Sequence, residues 1–176
     1  MSISINGTSG ITFADSSVQV TSGQPRLMTA INTTSGTAFD ITDIPSWVKR
    51  ITVMFSGVST NGASTPIIQI GDSEGIETTG YTSTVLQLQA ANVVLSATTG
   101  FAVAGSGATY FLHGAIRITN FNSTSWVVEG NVYTTVPNVN ASAGSKALSA
   151  TLDRIRITTV NGTDTFDAGT INIMYE

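Results

Sequence analysis

Apolar and polar residues alternate with period two over most of this chain. In the segment from Trp47 to Val58, Trp47, Lys49, Ile51, Val53 and Phe55 fall on one side, and Val48, Arg50, Thr52, Met54 and Ser56 on the other. Successive side chains of extended backbone point to opposite faces, so the first set predicts a buried face with Lys49 at its rim. Tyr110 to Thr119 places Tyr110, Leu112, Gly114, Ile116 and Ile118 together, opposite His113 and Arg117. Ser125 to Thr134 sets Trp126, Val128 and Val132 against Glu129, Asn131 and Tyr133. Leu152 to Thr159 sets Ile155 and Ile157 against Arg154 and Arg156, and Thr170 to Tyr175 aligns Ile171, Ile173 and Tyr175. Pro66 to Ile70 and Tyr81 to Gln89 complete the predicted strands. Asn61-Gly62, Gly71-Asp72 and Asn161-Gly162 supply turn chemistry between runs. Helical periodicity is nearly absent. Its best candidate is one turn at Ile44-Pro45-Ser46-Trp47, with Asp43 as cap and Pro45 opening the turn. Short strands without crossover helices predict an all-β protein, an antiparallel, jelly-roll-like β-sandwich.

The N-terminal stretch reads differently. Ile3, Ile5, Ile11, Phe13 and Val18 sit in very short alternating runs broken by Asn6-Gly7 and Ser9-Gly10. Such runs are too small to bury a core of their own. They predict an extended attachment and oligomerisation arm over residues 1–25, followed by one β-sandwich domain over residues 26–176, with Gln24-Pro25 as the hinge. Exposed apolar strands of this kind are an aggregation hazard unless paired, so a homo-oligomer, and specifically a trimer, is expected.

Composition narrows the chemistry. The chain has 176 residues, long enough for a substantial core, yet only 10% are charged. Ser and Thr fill much of the difference, so the surface is wetted by hydroxyls and amides rather than ions. The net charge is −4, and Lys49-Arg50 is the only adjacent basic pair. A phosphate-tracking surface needs clustered cations, so nucleic acid is not an expected partner. No apolar stretch reaches the length of a membrane span, so membrane insertion is not expected either. The chain has no cysteine, which excludes disulfide staples, thiolate zinc sites and a cysteine nucleophile. Met1 to Gly7 shows neither the basic nor the apolar region of a secretory signal, so synthesis in a cytoplasm is expected.

Candidate sites are few. His113 is the only histidine and sits mid-strand, where a sheet-surface residue is expected. No Gly-x-Ser-x-Gly elbow accompanies it, and no catalytic residue or cofactor is expected. Asp72, Glu74 and Glu77 form the densest acidic loop. Oxygen ligands around a glycine turn can hold calcium, but this spacing does not match an EF-hand loop, and a solvated turn is the simpler reading. Arg154 and Arg156 share one strand face and are candidate contacts for an anionic ligand, although edge protection and rim salt bridges are the favoured reading. Tyr133, facing away from Trp126, is the aromatic best placed to contact a glycan.

The segment Ile5-Asn6-Gly7-Thr8-Ser9-Gly10-Ile11-Thr12-Phe13-Ala14-Asp15-Ser16-Ser17-Val18-Gln19 resembles a motif of tailed-bacteriophage virion proteins, above all tail fibres, with Ala14 and Ser16 where the motif usually has Pro and Gly. Ile44 to Ile51, Gly71 to Gly75 leading into Thr79-Gly80-Tyr81, and Phe166 to Ile173 also resemble small phage structural proteins. The resemblance implies a non-enzymatic β-sandwich, usually trimeric, located in the virion with other virion proteins as partners. Two destinations follow. One is a short tail fibre or fibre tip whose arm attaches to the tail and whose loops contact host-surface glycans. The other is a capsid decoration or head-fibre protein anchored on the lattice. The arm motif favours the tail; the lack of a long stalk favours decoration. A glycan-active enzyme is a third and weaker reading, because paired acids at strand ends are not evident.

Overall fold

The structure, a computed structural model, describes residues 25–105, 107–135 and 138–176, and the backbone of strands at 4–6, 10–12 and 18–19. Among the described residues there is no helix. Near the N-terminus β1 (Ser4–Asn6), β2 (Gly10–Thr12) and β3 (Val18–Gln19) pair antiparallel into a sheet of their own. The domain then runs through β4 (Arg26–Leu27), β5 (Ile31–Asn32), β6 (Phe39–Ile41), β7 (Arg50–Thr60), β8 (Pro66–Asp72) and β9 (Gly75–Ile76). It continues through β10 (Thr82–Leu88), β11 (Val93–Ala97), β12 (Phe101–Ala102) and β13 (Leu112–Asn122). β14 (Ser125–Thr134), β15 (Asn138–Ala147), β16 (Arg154–Thr159) and β17 (Phe166–Tyr175) complete it.

Two antiparallel sheets make the domain. The larger has the order β11-β10-β15-β14-β13-β7-β17-β4, with β5 also pairing β17. The smaller has the order β12-β8-β16-β6, with β9 pairing β8. The apolar alternation fixes which face of each sheet turns inward. Ile51, Val53 and Phe55 of β7, Ile116 and Ile118 of β13, Val128 and Val132 of β14, and Ile171 and Ile173 of β17 are buried in one cluster with Ile68 and Ile70 of β8 and Ile155 and Ile157 of β16. The antiparallel β-sandwich predicted from the alternation is therefore the observed architecture. Edge-on aromatic contacts lock its margins: Tyr81 on Phe101 at 5.0 Å between centroids, and Phe39 on Phe166 at 5.1 Å.

One irregularity organises the long strands. Val58 lies opposite Leu112 while Ser56 lies opposite His113, so Gly57 is an extra residue in β7. Ile51, Val53 and Phe55 point inward before it and Val58 after it. Without the bulge, period two would turn Val58 to solvent. Gly57 has φ +66° and Gly169 of the neighbouring β17 has φ +90°, conformations that favour glycine. A Cβ on Gly169 would lie 2.2 Å from the Gly57 carbonyl oxygen.

Three sequence expectations need correction. The turn at Ile44–Trp47 is not helical. Val48 N–H donates to Pro45 C=O at 3.0 Å, closing a single β-turn, and Ile44 N–H pairs instead with Asp153 C=O at 2.8 Å. Asp43 does not cap it; it lies in the left-handed region at φ +61°. Trp47 and Tyr110, expected on buried faces, are only partly buried and precede β7 and β13 rather than joining them. Trp47 stacks on Tyr175 at 5.8 Å, with the Arg26 guanidinium over its ring.

The alternation did not reveal β15 at all, because its inward residues are polar. Asn138, Asn140, Ser142 and Lys146 are buried. They are inward because a length of backbone lies against them. Phe101 to Gly105 is buried in full, and buried peptide groups must find partners. Ser83 Oγ accepts from Ala102 N–H at 2.8 Å, Ser142 Oγ donates to Val103 C=O at 3.0 Å, and Asn140 Oδ1 accepts from Gly105 N–H at 2.9 Å. Beside them, Val85 and Ala97 pack on Ile67 and Ala102 in a second small cluster that joins the β10–β11 end to the small sheet.

The paired glycines set a first test. Gly169→Ala should destabilise the domain by about 2 kcal/mol or more, since it combines an unfavourable φ with a backbone clash. Urea unfolding followed by tryptophan fluorescence checks this; wild-type stability in the variant would show that the bulge relaxes freely.

Candidate functional site

The acidic loop was the first candidate, and the fold uses it structurally. Gly71 to Glu77 turns from β8 through β9, which brings Asp72 and Glu77 beside Ser149 and Lys146. Asp72 is 1% exposed; its Oδ1 accepts from Glu74 N–H at 2.9 Å and its Oδ2 from Ser149 Oγ at 2.6 Å. Glu77 Oε1 accepts from the Ser149 amide at 2.8 Å and is also 2.9 Å from its Oγ, while Glu77 Oε2 pairs with the Lys146 ammonium. Lys146 is 7% exposed, donates also to Ala147 C=O at 2.7 Å, and lies 5.5 Å from the centre of the Tyr81 ring. Tyr81 Oη closes the network: it accepts from Ile70 N–H at 2.7 Å and lies 2.9 Å from Glu77 C=O.

These partners set the titration of the loop. The Ser149 hydroxyl and then the Glu74 amide hold the Asp72 carboxyl below its ordinary value. Burial alone would raise Glu77, but the bonds from Lys146 and Ser149 together outweigh it and hold it low. Burial pushes the Tyr81 phenol well up. Glu74 offers its amide to Asp72 and lines the same small hollow as Asp72 and Glu77. Among the described residues no group of three His, Cys, Asp or Glu converges as metal ligands would. The loop is therefore a brace between β8 and the β15–β16 connection.

Arg154 and Arg156 do share one strand face, opposite the buried Ile155 and Ile157, but both are engaged by carboxylates. Arg156 makes a two-pronged contact with Asp40 across the β16–β6 pair, at 2.6 Å and 2.7 Å. That bond is the main reason the Asp40 carboxyl is held low. Arg154 binds its neighbour Asp153 at 2.7 Å and 3.2 Å.

Tyr133 is on the other side of the molecule, on the outer face of the large sheet. It is 43% exposed, directly opposite His113, with ring centres 6.4 Å apart. His113 Nδ1 accepts from the Gly57 amide at 3.3 Å, so the only histidine helps hold the bulge. The structure thus separates the three candidate ligand contacts: Tyr133 on one outer face, Arg154 and Arg156 on the opposite one. Of the arm positions, Ile3 and Phe13 lie outside the described residues. Ile5, Ile11 and Val18 are described in backbone alone, where Ile5 pairs with Ile11.

Each outer face carries a shallow groove. On the large sheet a hollow of about 520 Å³ lies over Thr52, Ala115 and Asn131, between Arg50 and Arg117. Arg50 pairs with Glu176 at 2.6 Å and Arg117 with Glu129 at 3.4 Å. On the small sheet a groove of about 490 Å³ is lined by Thr37, Gln69, Thr99, Arg156, Thr158 and Asn161. Its hydroxyl and amide lining can exchange hydrogen bonds with a polyhydroxylated ligand. Sequence reasoning missed it because these residues come from four separate segments whose spacing shows no period.

The Lys146–Glu77 brace gives two expected outcomes. Lys146→Met should cost about 3 kcal/mol, because it leaves Glu77 without its cation in a desolvated site; equilibrium unfolding measures it. Asp40, Asp72 and Glu77 are all held low in the folded state, so the unfolded chain binds more protons in acid. Their contribution is fully present above the ordinary carboxylate range of about 4 and is lost as pH falls through the lower folded-state values. Unfolding midpoints should stay level from about pH 7 to 5 and drop below about pH 4, less steeply in Asp72→Asn.

No protein-family model matches the chain, and no curated protein and no solved structure matches it.

Proposed function

We propose that this chain is a non-enzymatic structural protein of a tailed-phage virion, a short tail fibre or fibre-tip component. Residues 1–25 attach it to the particle and the β-sandwich is held outward, where it contacts host-surface glycans. The observation that carries the reading is the organisation of the N-terminus. β1, β2 and β3 pair with one another and, among the described residues, with no strand of the sandwich. A sheet paired only within itself supports the reading of residues 1–25 as a mounting element.

The sandwich surface supports it. Asp40, Asp72, Glu77, Asp153, Asp164, Asp167 and Glu176 each accept hydrogen bonds from named side chains or amides. They brace loops and strands, and the acids that do meet, Asp72 and Glu77 with Glu74, line only a small hollow of about 140 Å³. Acid–base catalysis needs titratable groups that converge where a substrate can sit. A mixed hydroxyl and amide surface with shallow grooves suits weak contacts repeated over many copies, where multivalency supplies avidity.

The second reading, a capsid decoration protein, keeps the same arm and places it on the capsid lattice. Copy number separates the two. Quantitative mass spectrometry of purified virions should find a few copies of this chain per hundred of the major capsid protein. Near parity would favour decoration, and absence from virions would remove both readings. For glycan contact, Tyr133→Ala should weaken adsorption of the purified protein to host cells, whereas Arg156→Ala should leave it unchanged, because Asp40 already occupies that guanidinium. Equal adsorption by wild type and Tyr133→Ala would remove Tyr133 from the contact surface.

A further inference from the structure

The outer face of the large sheet is divided in two. On the β17–β7–β13 side it carries Arg50, Arg117 and Glu176. On the β15–β10–β11 side no charge is exposed among the described residues, since Lys146 is buried in its brace, and Glu129 on β14 marks the boundary between the two halves. The sequence shows the same division. No Asp, Glu, Lys or Arg occurs from Thr78 to Ile116, nor from Gly130 to Ser145. The fold lays these two neutral stretches side by side, because β10 pairs with both β11 and β15.

Register shows what this neutral half presents. Val94, Leu86 and Ala141 lie directly across from one another in one row, and Leu88, Val139 and Tyr133 in the next. Val94 is 62% exposed, Leu88 44%, and Val139 and Tyr133 43% each. Exposed apolar side chains scattered singly need no explanation, but adjacent rows of them mark contact surfaces. The row on the other side is Ser96, Thr84 and Ala143, with the two hydroxyls 3.3 Å apart, and it ends at Glu129 of β14. The margin is β11, an edge strand from Val93 to Ala97 with no Lys and no Pro, the residues that commonly blunt such edges.

We infer that the β15–β10–β11 part of this face is the surface on which a second copy of the same chain packs, with β14, and so Tyr133 and Glu129, left at its open rim. The identity of the occupant follows from self-complementarity. An isologous contact places a patch against itself. Apolar groups match themselves, and a hydroxyl, which both donates and accepts, also matches itself. A carboxylate or a guanidinium facing its own copy does not. The chain carries a net charge of −4, so two copies repel over most of their surfaces. The surface from β15 to β11 is where they can meet without juxtaposing like charges. The face is also open: the grooves over Ala115 and Asn131 and over Thr158 lie elsewhere, and neither Val94 nor Leu88 lines either one. A flat apolar surface buries against another flat surface, with sheets about 10 Å apart, and not around a small ligand. The inference goes beyond the arm-mounted reading above, because it places self-association on the sandwich itself.

The test uses the full chain. Light scattering at micromolar concentration should give an oligomer for the wild type and a monomer for the double variant Leu88→Lys, Val94→Lys, with unchanged circular dichroism. A wild-type monomer, or an undiminished oligomer in the variant, overturns the inference; the latter would mean that the arm alone assembles the protein. Because the chain has no cysteine, single thiols provide a check that does not depend on the lysine variant folding. Ala143→Cys on the neutral face should react with maleimide about tenfold or more slowly than Ala38→Cys at the exposed rim of the small-sheet groove, as burial in an interface protects it. Equal rates would overturn the inference even if virion copy number and host adsorption turned out as proposed.

Discussion

The dry seam between the two sheets is the constraint on which the rest depends. It is filled by Ile51, Val53 and Phe55, Ile116 and Ile118, and Ile171 and Ile173 on one side, and by Ile68, Ile70, Ile155 and Ile157 on the other. β-Branched residues dominate it, which suits a pleated surface packed on one face. A slip of one residue in any strand would turn that strand's apolar set to water. Register must therefore be held over strands of ten and eleven residues such as β7, β13 and β17. The paired bulges at Gly57 and Gly169 serve this end. They absorb the extra residues, bring Val58 back to the core, and take His113 as an anchor.

The second principle is local compensation for buried polarity. The end of the sandwich under β10 and β15 encloses backbone rather than apolar side chains alone. Ser83, Asn140 and Ser142 answer the peptide groups of residues 102–105 one by one. Lys146 and Glu77 answer each other, with Ser149 and Tyr81 completing the shell. A half-satisfied network would cost more than an apolar filling, so these residues act as a set. The loop that reads as a cation site in isolation becomes a brace once its neighbours are in place.

Charge is used sparingly and mostly in pairs. Asp40 with Arg156, Asp153 with Arg154, and Glu176 with Arg50 neutralise one another at the surface. Exposed pairs of this kind contribute little to stability. Their effect is to leave the outward surface dominated by hydroxyls, amides and one neutral apolar half-face. That is the surface on which the proposed self-association and glycan contact would depend.

The amino-acid sequence by itself determined the fold class, because period-two alternation with β-branched residues is a local property that each strand carries independently. Ile155 and Ile157 opposite Arg154 and Arg156, or Val128 and Val132 opposite Glu129 and Tyr133, are legible without any partner. What only the tertiary structure decided was everything requiring two distant segments. β15 was invisible because its inward Asn140 and Ser142 make sense only beside residues 102–105. The roles of Asp72 and Glu77 waited on Ser149 and Lys146, more than sixty residues away in the chain. Tyr133 and the arginines of β16, all outward-facing in the alternation, turned out to stand on opposite outer faces. Period two states which side of its own strand a residue takes, whereas the packing of one sheet on the other states which side of the molecule that is.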